Sequence, residues 1–305
     1  MISIAIVLPT ISVAYAALNR GSGIVFALAM AASVCLAYVV YYSVRWDAVG
    51  VHYRWLYSAL FVLAWVGNFI TKREQLITLS SDHSVYSMAI HIVLLCIFGY
   101  LSIVIASGYK WRGESISLTA PVESNGWVVH GGGTVAVNYH NGVKAQRYAL
   151  DIIVLDENGR RGRTWLPAEL NDFSSFGKSV LSPCDGKVLA TENNQEDRAI
   201  GELRDDSPAG NFVLLHCHGN TVLLAHLKKG SVLVKTGDSV EPGRPLAKIG
   251  NSGRSSEPHL HIHAVKGKVM DMKMVIATGE PVALLINGEF SRRGDILHLN
   301  EKTSE

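Results

Sequence analysis

The sequence predicts a molecule in two parts: an N-terminal bundle of about four transmembrane helices, followed by a mainly antiparallel β domain. Three observations carry this expectation. Residues 2–18, 22–44, 55–71 and 86–108 are long apolar runs almost free of charge, in a chain that is 48% hydrophobic with a mean hydropathy of +0.20. Beyond Gly108 the composition changes: most charged residues lie in 115–305, as do all histidines except His52, His83 and His91. From Trp127 onward, short apolar stretches alternate with turn signals, and helical periodicity is scarce. The boundaries that follow are 1–110 for the helical region, 111–126 for a linker, 127–288 for the β domain and 289–305 for a C-terminal tail.

About 20 apolar residues carry a helix across the hydrocarbon core of a bilayer. The second and fourth runs reach that length, the third sits at the short end of the range, and the first is marginal and contains Pro9. No basic residue precedes the apolar stretch of the first run, which argues against a cleaved signal peptide. Four spans in a lipid bilayer are therefore expected. They put both termini on one side, with Arg20, Lys72 and Arg73 opposed to Arg45, Arg54, Lys110 and Arg112. That balance is too even for the enrichment of cytoplasmic basic residues to set the orientation. The runs hold almost no charged residues of the kind that mark a transport path, which disfavours a transporter. Cys35 and Cys96 lie inside them and read as small packing residues.

In the β domain, strands are expected at Ala145–Leu155, Gly186–Thr191, Asn211–His216, Thr221–His226 and Pro245–Ile249. The clusters Asp156-Glu157-Asn158-Gly159, Cys184-Asp185-Gly186 and His218-Gly219-Asn220 supply the turns between them. Val232–Ile249 reads as strand, turn, strand, and one short helix is expected near Met270–Ala277. Cys184 and Cys217 have no paired Cys-x-x-Cys spacing and are expected as free thiols. Gly131-Gly132-Gly133 lacks a following Lys-Ser/Thr and reads as a turn, not a phosphate cradle. Met270-Asp271-Met272-Lys273-Met274 lacks the flanking half-repeats of a biotin carrier and reads as a surface segment. A net charge of +2, with no basic stripe interleaved with aromatics, excludes nucleic acid as the expected partner.

The chemistry concentrates in Pro258-His259-Leu260-His261-Ile262-His263, behind the Gly-rich segment Ile249–Gly253. Three of the 12 histidines fall in these six residues. Residues two apart on a strand share a face, so His259 and His261 project into one cleft. Imidazole is both a zinc ligand and a group that titrates near neutral pH. Asp151 lies in the otherwise apolar Tyr148-Ala149-Leu150-Asp151-Ile152, where a carboxylate is costly to bury unless paired or bound to a metal.

These residues, together with Ser182–Val188, Gly210–His216, Leu224–Leu227, Gly237–Gly243 and Ile249–Ile262, resemble the LytM/lysostaphin-type zinc endopeptidases that cut peptidoglycan. The resemblance covers roughly Arg147–Val265. It implies an antiparallel β domain (a duplicated hybrid motif) with a shallow groove and one Zn2+ at its floor. It also implies Asp151 and His261 as metal ligands and His226 and His259 as the catalytic histidines.

The departure lies four residues before Asp151, where the family has its first ligand His and this chain has Arg147. Guanidinium carries no lone pair and cannot ligate zinc, and a catalytic zinc requires three protein ligands plus an open position. His140, in Asn138-Tyr139-His140, is the first candidate replacement, with the turn at Asn141-Gly142 folding it back; His130 and His263 are the second and third. Arg147 itself would pair with Asp151 or stabilise the tetrahedral intermediate. The expected function is a zinc metalloendopeptidase in the bacterial cytoplasmic membrane, multi-pass, with its C-terminal domain extracytoplasmic and peptidoglycan peptide as substrate. The alternative is a catalytically inactive LytM-like module that binds or activates another wall hydrolase, with that cell-wall enzyme as partner.

Overall fold

The structure is a computed structural model, and it describes residues 2–18, 23–77, 85–203 and 207–298. Arg20, His83 and the last residues of the expected tail lie outside them. The chain divides into two compact units, Met1–Ser107 and Gly108–Glu305.

Among its described residues the first unit holds four α-helices, α1 (Ile2–Leu18), α2 (Gly23–Ser43), α3 (Tyr53–Ile77) and α4 (Val85–Ser107). Of these, α2 and α4 are long and apolar enough to cross a membrane; α1 is shorter, and the last part of α3 carries Lys72, Arg73 and Glu74. Helix α2 packs on α4, and α1 on α3. Two buried polar links tie the latter pair: the Ser12 and Tyr57 hydroxyls, 3.0 Å apart, and Asn68 Nδ2 donating to the Ala16 carbonyl at 2.7 Å.

Among its described residues the second unit contains thirteen short strands: β1 (Ser115–Leu118), β2 (Gly126–His130), β3 (Leu150–Val154), β4 (Ser179–Leu181), β5 (Gly186–Glu192), β6 (Asn211–Cys217), β7 (Asn220–Leu227), β8 (Ser239–Val240), β9 (Pro245–Lys248), β10 (Leu260–Val265), β11 (Pro281–Ile286), β12 (Glu289–Phe290) and β13 (Ile296–Leu297). The main sheet runs β13-β2-β3-β10-β7-β6-β5-β8, with β11 pairing β10, β1 and β12; β4 and β9 form a separate pair. Every pairing is antiparallel except β1 with β11. The stretch 111–126 thus contributes β1, and 289–305 contributes β12 and β13.

Alternation along the central strands sorts side chains between two faces. Leu150, Ile152, Leu224, Leu260, Ile262 and Ala264 enter the main core. The other face receives Leu223, Ala225 and Val265 in a second cluster, which also contains Ala145 and Val275. Asp151, His261 and His263 point to that second side because they occupy the intervening positions of β3 and β10. A π-helical turn, Met274–Thr278, follows β10 within the second cluster, close to where the sequence predicts a short helix.

Two expectations need correction. The strand expected from Ala145 begins only at Leu150, because residues 145–148 form a turn in which Ala145 N–H donates to the Ala277 carbonyl and Ala149 N–H to the Gln146 carbonyl. Cys184 and Cys217 form a disulfide, with Cα atoms 6.0 Å apart. The β5–β6 register sets Gly186 opposite Cys217, two residues beyond Cys184. A Cβ on Gly186 would lie 3.1 Å from Cys184 Sγ and 3.3 Å from Cys217 Sγ, so glycine leaves the bridge its room.

Candidate metal centre

The centre is built on β3 and β10. Their register places His261 opposite Asp151, and on the other side of β10 His261 faces Ala225, whose small side chain leaves the ring space. Asp151 is 3% exposed and His261 4%. Asp151 Oδ1 lies 3.0 Å from His261 Nδ1. His140 Nε2 lies 3.0 Å from both carboxylate oxygens. One ligand atom from each of His140, Asp151 and His261 falls within 4.8 Å of the others.

His140 reaches the site through the segment between β2 and β3. Tyr139–Gly142 forms a single 3₁₀ turn whose N-terminus is capped by the buried Asn138, the side-chain oxygen accepting from His140 N–H at 3.2 Å. Asn138 Nδ2 donates to the Gly132 and Ala149 carbonyls at 3.1 and 3.0 Å, which ties the turn to the chain on either side of it. Tyr139 contributes its hydroxyl, 3.3 Å from Asp151 Oδ2. Sequence reasoning left Asn138 and Tyr139 without a role; their position beside His140 was the available signal.

The position four before Asp151 is not part of the centre. Arg147 sits in the 145–148 turn with its side chain exposed, away from the Asp151 partners His140, His259, His261 and Tyr139. The expected pairing of Arg147 with Asp151 is therefore corrected: a strand would have carried the residue inward, and the turn carries it out. The second and third replacement candidates also stand outside the cluster. His130 lies beside the centre, its ring edge-on to Tyr139 at 4.6 Å. His263 spends both nitrogens elsewhere, on His261 Nε2 at 2.9 Å and the Val275 carbonyl at 2.8 Å.

His226 and His259 flank the cluster, with ring centroids 4.9 Å apart; His226 is 5.7 Å from His261. His226 has φ 62°, a conformation uncommon for a residue with a side chain. It occurs where β7 inserts an extra residue against β6, between the pairs Val213–Leu224 and Asn211–Leu227. Such a bulge re-aims a side chain, and here the ring joins the site face next to Ala225. His226 Nδ1 donates to the Ser252 carbonyl at 3.0 Å, and His259 Nδ1 to the Glu257 carbonyl at 2.8 Å. With Nδ1 occupied, each ring has Nε2 left for the site. His259 Nε2 is buried without a hydrogen-bond partner and stands 3.5 Å from Asp151 Oδ1.

Burial and charge set the protonation states. Burial disfavours the Asp151 carboxylate, but the His140 and His259 rings outweigh it and hold the acid well below its usual range. Burial pushes His261 down to about 3 and His263 to about 4. It also holds His226 well below its ordinary value, helped by the neighbouring His259 and His261. For His259 burial works in the same direction, but the negative charge of Asp151 close by, helped by the hydrogen bond to the Glu257 carbonyl, wins and raises it.

The donor set suits zinc. Two imidazole nitrogens and a carboxylate oxygen are borderline-soft ligands of the kind zinc accepts, three in number as a catalytic site requires. The partnerless His259 Nε2 beside them is a buried polar atom of the kind that a bound water or substrate satisfies.

An antiparallel sheet that gathers two imidazoles and a carboxylate around one point, with two more histidines alongside, is an arrangement that could hold a metal ion. Residues 171–272 match the model of peptidase family M23, so this part of the β domain is similar to the LytM/lysostaphin-type peptidases. The match contains His226, His259, His261 and His263; His140 and Asp151 lie ahead of it. Among curated proteins, peptidoglycan DD-endopeptidase ShyA of Vibrio cholerae is 33% identical over 100 residues, 32% of this chain and 20% of that protein. ShyC of the same organism is 28% identical over 122 residues, 35% and 28% of the two chains. An uncharacterized metalloprotease of Haemophilus influenzae is 36% identical over 91 residues, 30% of this chain and 17% of that one. The chain thus spans about a fifth of the length of ShyA. Among solved structures, a zinc-containing peptidase from Vibrio cholerae matches at 30% identity with a TM-score of 0.23, covering 30% of this chain and 24% of that one. Lysostaphin matches at 19% identity with a TM-score of 0.26, covering 41% and 38%.

Proposed function

We propose that this chain is a membrane-anchored zinc metalloendopeptidase that hydrolyses peptide bonds of bacterial peptidoglycan. The carrying observation is the His140–Asp151–His261 cluster, in which a histidine eleven residues before the acid would take the place of the one missing at position 147. His140 Nε2, a carboxylate oxygen of Asp151 and His261 Nδ1 would hold the ion. An ion held there would supply Lewis-acid polarisation of the scissile carbonyl and a lowered pKa for water.

The chain's own groups then divide the proton work. His226, kept neutral by burial and pinned through Nδ1 on Ser252, takes the proton of the attacking water at Nε2. His259, drawn toward its charged form by Asp151, donates from Nε2 to the developing oxyanion. Two like groups whose surroundings push their affinities for protons apart are suited to opposite roles.

Several observations support the cell-wall setting. The names of the Vibrio relatives state a peptidoglycan endopeptidase activity for those proteins. The Cys184–Cys217 disulfide fits an oxidising compartment outside the cytoplasm. Four apolar helices, with Leu63, Val85, Tyr86 and Ile103 among the large side chains left exposed, fit a multi-pass anchor in the lipid bilayer.

The test is cleavage of purified peptidoglycan by the zinc-loaded full chain in detergent, beside His226→Ala and His259→Ala. New peptide termini should appear with the native protein, and each variant should lose about 10²–10⁴-fold in rate while retaining its zinc. A zinc-loaded native chain that releases nothing favours the catalytically inactive module that binds or activates another wall hydrolase.

A further inference from the structure

His263 is buried to 1% exposure, lies two residues past a ligand and is not itself one. Its hydrogen bonds form a directed chain. The Val275 carbonyl, 2.8 Å from His263 Nε2, can only accept, so that nitrogen carries the proton. The neutral ring then offers a lone pair at Nδ1, which accepts from His261 Nε2–H at 2.9 Å. Neutral His261, protonated on Nε2, has a bare lone pair on Nδ1, the atom 3.0 Å from Asp151 Oδ1. Two acceptors facing each other at that separation suit a cation between them. The chain of bonds thus runs from the backbone inward, and with both rings neutral it leaves His261 Nδ1 free to ligate.

The Val275 carbonyl is available because of the π-helical turn. Carbonyls in the last turn of a helix lack partners within it. Here Met274 O accepts from Gly279 N–H, Ile276 O from Gln146 Nε2 at 2.6 Å and Ala277 O from Ala145 N–H at 3.2 Å, leaving Val275 O for His263. Gln146 and Ala145 belong to the turn that connects His140 to Asp151. The carbonyls of Val275, Ile276 and Ala277 therefore brace the His261 side of the centre and the segment that delivers His140. One-turn π segments inside helices are frequent at functional sites.

We propose that His263 is a positioning residue which, anchored on the Val275 carbonyl, fixes His261 in the tautomer and orientation that present Nδ1 to the metal. This rests on the zinc reading given above. Partners of this kind, donating or accepting at the far nitrogen of a ligating histidine, typically tune metal affinity about 10–100-fold.

Two near-isosteres separate positioning from mere packing. The side-chain oxygen in His263→Asn falls where ring Nδ1 was and keeps the bond to His261, while the bond to Val275 is lost. The amide nitrogen in His263→Gln falls where Nε2 was and keeps the bond to Val275, while the bond to His261 is lost. Zinc affinity of the full chain in detergent is measured by chelator competition for the native protein, both variants and His263→Leu, with the melting temperature of each metal-free form. His263→Asn should bind within about threefold of native, whereas His263→Gln and His263→Leu should weaken by about 10–100-fold. Imidazole ¹⁵N shifts should report His261 protonated on Nε2 in the native and Asn forms and a tautomer mixture in the Leu form. Equal zinc affinity in all three variants, or affinities that follow melting temperature with Gln above Asn, would overturn the proposal. A native chain that takes up no zinc removes the metal reading itself, and this proposal with it.

Discussion

Asn138 is the residue on which the delivery of His140 depends. Its side chain accepts from His140 N–H and donates to the Gly132 and Ala149 carbonyls, all inside a region where Asn138 has no exposed surface. Asn138→Ala removes these three hydrogen bonds, each worth about 0.5–1.5 kcal/mol net, together with a longer fourth to the Arg147 carbonyl at 3.4 Å, and strands two buried carbonyls. The expected loss is about 2–4 kcal/mol of folding stability, read by urea denaturation of residues 108–305, the compact unit that carries both β-domain clusters. The same change frees the Tyr139–Gly142 turn from its tether to β3. Zinc affinity should therefore fall together with stability, although Asn138 is not a ligand. A variant whose midpoint moves by less than the equivalent of about 0.5 kcal/mol, or one that keeps native zinc affinity, would refute this role for the Asn138 clamp.

The disulfide and the exposed arginine give two further expectations. The Cys184–Cys217 bridge closes a sequence separation of 33 residues, so the Cys184→Ala/Cys217→Ala pair should cost about 3.7 kcal/mol by the chain-entropy relation. At roughly 2–4 °C per kcal/mol for a unit of this size, its melting temperature should drop by about 7–15 °C; no change on reduction would show that the bridge is not formed. Arg147→Ala should leave zinc content and peptidoglycan cleavage as they are and shift stability by less than about 0.5 kcal/mol, because the side chain is exposed and apart from Asp151. A tenfold or greater loss of activity would place Arg147 in the site after all.

Much of the β domain was legible because its strands obey the period of two. Gly186–Thr191, Asn211–His216 and Thr221–His226 correspond to β5, β6 and β7 within a residue or so at either end. His259 and His261 both approach Asp151 Oδ1, as residues two apart on one face can, and Asp151 is buried among its apolar neighbours. The region before Asp151 was harder to read. Ala145–Ala149 is apolar enough for a strand, but the π-helical turn, distant in sequence, captures Ala145 N–H and the Gln146 side chain and bends the segment into a turn. No local pattern encodes that capture. The disulfide was missed for the same reason: Cys217 is brought within reach of Cys184 by the β5–β6 register, and Gly186 opens the space, both features of pairing and not of spacing. His140 was legible as a candidate through its Asn-Gly turn, whereas His263 was read as a possible ligand because its face is visible in the sequence and its hydrogen-bond partners are not.

The central claim is that His140 completes the metal centre in place of the residue at position 147. Zinc bound per chain, measured on the purified full-length protein in detergent beside His140→Ala, tests it most directly. The account predicts one zinc per native chain and a loss in the variant greater than the about 10–100-fold expected for an outer-shell partner. Stoichiometric zinc held with native affinity by His140→Ala would contradict it.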